Sequence, residues 1–292
     1  MAFPISLDLL ASRPEFEREP PAALYHYTDF DGVAGILATR SLWLSKVSTL
    51  NDTSEIHLAV QQFKARADKA AERLPRDEAA FVREAAAHLD DARRTTICVA
   101  SFGEQDDQLE HWRSYANDGR GIALGFHGRA LAAAGAACDV RLLRCVYDAA
   151  THARIIDDLL QMLLTALREV RPTDDASRKA LSEEFRSAFL MTAPVIKDPH
   201  FAGEREWRLV SMPRGPDDPR ITAVLAGNIA SVKFVMPFCA EGQSPATILS
   251  SVIIGPTEDP DNVADAVVVL ARREEFEVAE VRFSKIPYRP RR

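Results

Sequence analysis

The run TTICVASF, residues 95–102, constrains the fold more than any other stretch of the chain. It is short, apolar and rich in β-branched residues, and such a run forms a strand at the centre of a sheet. What precedes and follows it must therefore supply neighbouring strands and the helices that cover them. Before it come ALYHYT, a helix beginning after Asp29 with Val33, Ile36 and Leu37 on one face, and SLWLS. STLNDTSEIHLAVQQF then pairs Asp52 with Glu55 as a capping box and spaces Ile56, Val60 and Phe63 for a helix; a further helix is predicted over 78–91.

After the central run, GEQDDQLEHWRSYANDGRGIALGF reads as an acidic turn, a short helix carrying Leu109, Trp112 and Tyr115, a glycine turn and a strand. DVRLLRCVYD is the next strand candidate. Residues 151–170 and 176–192 form two amphipathic helices separated by RPTDD, an inserted hairpin. FAGEREWRLVSM, SVKFVMPF, SSVIIGP, a helix capped near Asp261 and EVRFSKIPY complete the pattern. Strands interrupted by helices of unequal length predict an α+β fold: a mixed, mainly antiparallel sheet with flanking helices and a helical insertion at about 151–192. Residues 1–22, with four prolines, read as a lead-in, and 23–292 as a single domain.

Composition narrows the function classes. The net charge of −7 disfavours binding to a phosphate backbone, so nucleic acid is a poor partner. Four scattered cysteines form no CxxC pair and predict neither a zinc cage nor a disulfide framework. Glu55 and His57 are two apart on a predicted helix and face apart, so no metal is expected with Asp52. No apolar run reaches membrane-spanning length and the N-terminus does not resemble an export signal, which predicts a cytoplasmic protein without a membrane partner. There is no GxSxG, HExxH or P-loop.

Four clusters carry polar chemistry: His26, Tyr27 and Thr28; Asn51, Asp52 and Glu55; Trp112 and Tyr115; Glu204, Glu206 and Arg208. Each has a purely structural explanation. His26 suits a partnered core imidazole, Asp52 and Glu55 a helix cap, and Trp112 and Tyr115 a buried helix face. In a strand, Glu204, Glu206 and Arg208 share one face and Trp207 and Leu209 the other, which fits either a wet edge or a site.

Taken in order, HYT, LNDTSE, SF, HWRSYANDGRGIALGF and EREWRLV resemble a widespread bacterial family of unknown function, over about Leu24 to Val210. LYHYTDFDGVAGILATRSLWLS is also similar to the opening of ADP-ribosyltransferase-like folds, in which a His-bearing strand leads through a short helix to a second strand, and a late strand carries Glu-x-Glu. That resemblance implies that His26 binds a ribose hydroxyl of NAD, Tyr115 flanks the nicotinamide, Glu206 is catalytic and Glu204 orients the acceptor. Tyr27, Thr28, Asn51, Asp52, Glu55, Trp112 and Arg208 would complete substrate binding. NAD would be a substrate and not a tightly held cofactor, with a small nucleotide or a macromolecular acceptor as partner, in a defence or toxin role. A carboxylate beside the sugar suits this chemistry, because cleaving the nicotinamide–ribose bond builds positive charge on the ribose. The alternative is a non-enzymatic ligand-sensing or protein-interaction module built on the same polar pocket.

Overall fold

The structure is a computed structural model and describes residues 18–49, 54–90, 96–226, 229–240 and 242–288. The elements in order are β1 (Ala23–Thr28), α1 (Phe30–Thr39), β2 (Ser41–Lys46), α2 (Ser54–Ala71), α3 (Arg76–His88), β3 (Cys98–Gly103), α4 (Leu109–Tyr115), β4 (Ile122–His127) and α5 (Gly128–Ala136). They continue with β5 (Val140–Arg144), α6 (Ala149–Val170), α7 (Asp175–Thr192), β6 (Glu206–Ser211), β7 (Ile221–Ala226), β8 (Ile229–Pro237), β9 (Leu249–Ile254), α8 (Pro260–Arg273) and β10 (Val281–Phe283). The fold is α+β. Its sheet runs β10-β9-β4-β1-β3-β2-β8-β7, with β6 and β5 branching from β3. Every pairing is antiparallel except β9 with β10, so the sheet is mixed and mainly antiparallel, as expected.

The run TTICVASF is central in a literal sense, because β3 pairs with β1, β2 and β6. Its side chains alternate between two cores. Cys98, Ala100 and Phe102 join Leu37, Phe126, Leu131 and Val267 on the side of α1, α5 and α8. Val99 joins Phe63, Phe81, Leu159, Phe185 and Phe189 on the side of α2, α3, α6 and α7. Burying each of the larger side chains, the leucines, valines and phenylalanines, contributes about 1.5–3 kcal/mol, so both helical layers are held to the sheet by the strands' two-residue period.

Local signals act where expected in the first helix: Asp29 Oδ1 accepts from the Gly32 amide at 2.7 Å and caps α1. The cap of α8, expected near Asp261, is Asp259, which accepts from Asn262 N at 3.3 Å. The hairpin α6–α7 is inserted between β5 and β6, which pair with each other. The lead-in 1–22 lies mostly outside the described residues, as does the Asp52 capping box. Among the described residues, no helix is long and apolar enough to cross a membrane.

Candidate functional site

A gap in the sheet builds the site. β1 meets β3 at a single pair, Tyr25 with Gly103, and β2 meets β3 only at Val99 and Cys98. The Ser101 carbonyl falls between these short ladders, and His26 Nδ1 donates to it at 2.9 Å. A carbonyl can only accept, so a neutral His26 carries its proton on Nδ1 and presents Nε2 as an acceptor. Burial lowers the pKa of this imidazole below its ordinary 6.5, against the Ser101 hydrogen bond and with help from the Lys233 charge.

Above the gap stands α4. The Tyr27 hydroxyl donates to Gln105 O at 2.8 Å and accepts from the Gln108 amide at 3.2 Å, fixing the turn that starts the helix. His111 then stacks on Tyr27, with centroids 4.9 Å apart and planes 18° apart, and Tyr115 follows one turn later, 5.9 Å from His111. His111 is 5% exposed, whereas Tyr115 is 45% exposed. Burial lowers the His111 pKa and pushes the Tyr115 phenol up to about 12, so both rings are neutral near pH 7. Gly103 makes room for this arrangement, since a Cβ there would lie 3.3 Å from His111 Cε1.

The third wall is ionic. Glu206 opens β6 and is 5% exposed. Its Oε1 accepts from Arg208 Nε at 2.8 Å, and its Oε2 from Lys197 Nζ at 2.6 Å and Arg208 Nη2 at 3.0 Å. Burial alone would raise this carboxyl, but the charges of Arg208 and Lys197 outweigh it and hold the pKa at about 2. Lys197, 3% exposed, also bonds Glu204 Oε2, and the two carboxylates hold its pKa above the ordinary value despite burial. Arg208 Nη1 donates to Pro194 O at 2.6 Å. Two cations thus face two anions, the pairing that makes buried charge tolerable.

His26, Tyr27, Tyr115, Glu204 and Glu206, expected as site residues, line one cleft together with Ser101, Phe102, Gly103 and His111. Its enclosed space is about 60 Å³. Arg208 stands behind Glu206 and belongs to the wall. Trp112 is fully buried and donates from Nε1 to Asp107 Oδ1 at 2.7 Å, a core role. Thr28 ends β1 next to Gly121 and does not line the cleft. Asn51, Asp52 and the side chain of Glu55 lie outside the described residues.

Glu204 corrects the strand reading. It ends a 3-10 turn, Pro199–Glu204, and Arg205 follows with φ 44°, so β6 begins only at Glu206. The two glutamates meet through Lys197 and not through strand periodicity. Sequence reasoning missed His111 and Lys197. His111 and Tyr115 are four apart, the spacing of one helix face, which was the signal available. Lys197 sits in an irregular link and gives no periodic signal.

No curated protein and no solved structure matches the chain. Residues 111–209 match the family model described as "Protein of unknown function (DUF2971)", so over that span, which holds His111, Tyr115, Lys197, Glu204 and Glu206, the likeness to a family of unknown function is shown.

Proposed function

We propose that the cleft receives the nicotinamide end of NAD and that the protein is an ADP-ribosyltransferase-like or NAD glycohydrolase-like enzyme. The observation that carries this reading is the convergence of His26, Tyr115 and Glu206, from three separate elements, on one cleft. The cleft's 60 Å³ is far below the roughly 300–1,000 Å³ of pockets that engulf a ligand. Only one ring or its substituent enters, and the rest of the dinucleotide lies outside, past the exposed rings of Tyr115 and Phe201.

In the reaction the C1′–N bond of the nicotinamide riboside breaks, its electron pair goes to the pyridine nitrogen, and positive charge develops on the ribose. A carboxylate has about four acceptor positions, and three donors already reach Glu206, so one remains for a ribose hydroxyl. Glu204 Oε1 has no partner among the described residues. It is the better placed of the two to take the proton from water or another acceptor as the new C1′–O bond forms. These roles divide the work differently from the resemblance, because the cations beside Glu206 offset much of its charge.

The occupied state of Glu206 favours a second reading, a ligand-binding module without turnover. Incubating the protein with NAD and following free nicotinamide by chromatography separates the two. Release that falls at least a hundredfold in Glu204→Gln, with the melting temperature preserved, is expected for the enzyme. A wild-type protein that binds NAD without releasing nicotinamide supports the module, and one that does neither overturns both.

A further inference from the structure

His111 lines the cleft, is 5% exposed, and has a buried Nδ1 without a hydrogen-bond partner among the described residues. Its Nε2 has none there either. Neither ring nitrogen has a partner among the described residues, and of the two only Nε2 is on the cleft side where a group arriving from outside can reach it, while Nδ1 stays buried. The tautomer follows from the same accounting. A proton on Nδ1 would bury an N–H with no acceptor; a proton on Nε2 leaves Nδ1 bare and turns the donor to the Gly103 side, where the cleft opens. His26 has the opposite arrangement, because its Nδ1–H is spent on Ser101 O and its Nε2 is an acceptor.

We infer that His111 Nε2–H and His26 Nε2 form a donor–acceptor pair that reads a primary carboxamide on a planar ring, the carbonyl accepting from His111 and the amide nitrogen donating to His26. The choice of a carboxamide over a hydroxyl rests on the NAD reading. The ring would lie against the exposed ring of Tyr115, the outermost of the Tyr27, His111 and Tyr115 ladder. A carboxylate in place of the amide has no donor for His26 and sets a negative charge beside a bare nitrogen, so it is rejected.

The test titrates wild-type protein with nicotinamide, benzamide and nicotinate while recording the imidazole ¹⁵N resonances. Both amides are expected to move the His111 and His26 signals, with nicotinate binding at least about tenfold more weakly. His111→Phe keeps the stacked ring and removes the unpartnered nitrogens. It is expected to melt no lower than wild type and to bind nicotinamide about tenfold more weakly. Nicotinate binding as well as nicotinamide, no binding of either amide at millimolar concentration, or an unchanged affinity in His111→Phe would each overturn the inference. Should the Phe variant unfold, which would mark His111 as structural, the wild-type ligand series still decides. Amide binding that needs His111, without NAD cleavage, leaves this inference standing and removes the enzyme reading. NAD cleavage at an unchanged rate in His111→Phe does the reverse.

Discussion

Glu206 sits where water barely reaches it and yet remains ionised, because Lys197 and Arg208 supply three donors to its two oxygens. Removing one member of such a cluster strands the others, so Glu206→Gln should lower stability by about 3 kcal/mol in urea denaturation, whatever it does to activity. The pH dependence has a definite sign. The folded carboxyl, at about 2, gives up its proton more readily than in the unfolded chain, ordinarily 4.5; the stability it contributes is present above pH 4.5 and lost as pH falls toward 2. His26 and His111 act in the same direction at higher pH. Both bind protons less readily when folded, so acidification through 6.5 favours the unfolded chain, which takes up protons the folded one refuses. Thermal melts from pH 7 down to 3 should show a continuous loss in the wild type and a smaller loss below pH 4.5 in Glu206→Gln. At this scale the sequence was informative where side chains alternate: Trp207 and Leu209 pack into one core while Glu206 and Arg208 join the ionic wall. It was silent on Lys197, whose partners lie 7 and 9 residues away across a turn that no pattern announces.

Among elements, α4 bears most on the cleft, and it is held from outside. Asp107, just before the helix, accepts from Trp112 Nε1, from Ser284 Oγ at 2.6 Å and from the Lys285 amide at 2.8 Å. One carboxylate thus ties the helix to the segment after β10. Asp107→Ala should cost about 1–3 kcal/mol by leaving the indole N–H of a fully buried Trp112 unpartnered. Hydrogen exchange should report faster opening of α4 than of β4. A second test lies in the turn after α4, where a Cβ on Gly121 would stand 2.2 Å from Thr28 O. Gly121→Ala must therefore push β1 and β4 apart, and is expected to weaken ligand binding and stability together. Amphipathic elements such as α1, α6 and α7 were legible because their apolar faces repeat with the helical period. The helix α5, GRALAAAGA, was not, since five alanines and two glycines among nine residues leave Leu131 as its one large apolar side chain and give a weak pattern to read. β7, ITAVLA, escaped notice because as a short edge strand it carries no clear alternation.

Across the whole molecule, the inserted hairpin is a structural layer, and its far end supplies chemistry. α6 and α7 pack with α2 and α3 over the sheet, and the chain leaving α7 delivers the Pro194 carbonyl and Lys197 to the ionic wall. Leu159, 1% exposed on α6, is deep in that layer, and Leu159→Ala should cost about 2–5 kcal/mol with an unchanged denaturant slope. The α+β architecture and mainly antiparallel sheet could be read in advance from the order and length of the apolar runs. The split between β1 and β3 could not, since strand pairing depends on contacts 75 residues apart such as His26 with Ser101. The most direct test of the central claim is a crystal structure of the Glu204→Gln protein with NAD. Electron density for the nicotinamide ring beside Tyr115 in the cleft, with its carboxamide at the His26–His111 pair and the ribose beside Glu206, is the expected result. NAD bound elsewhere on the surface, or a cleft left empty at saturating NAD, would contradict it.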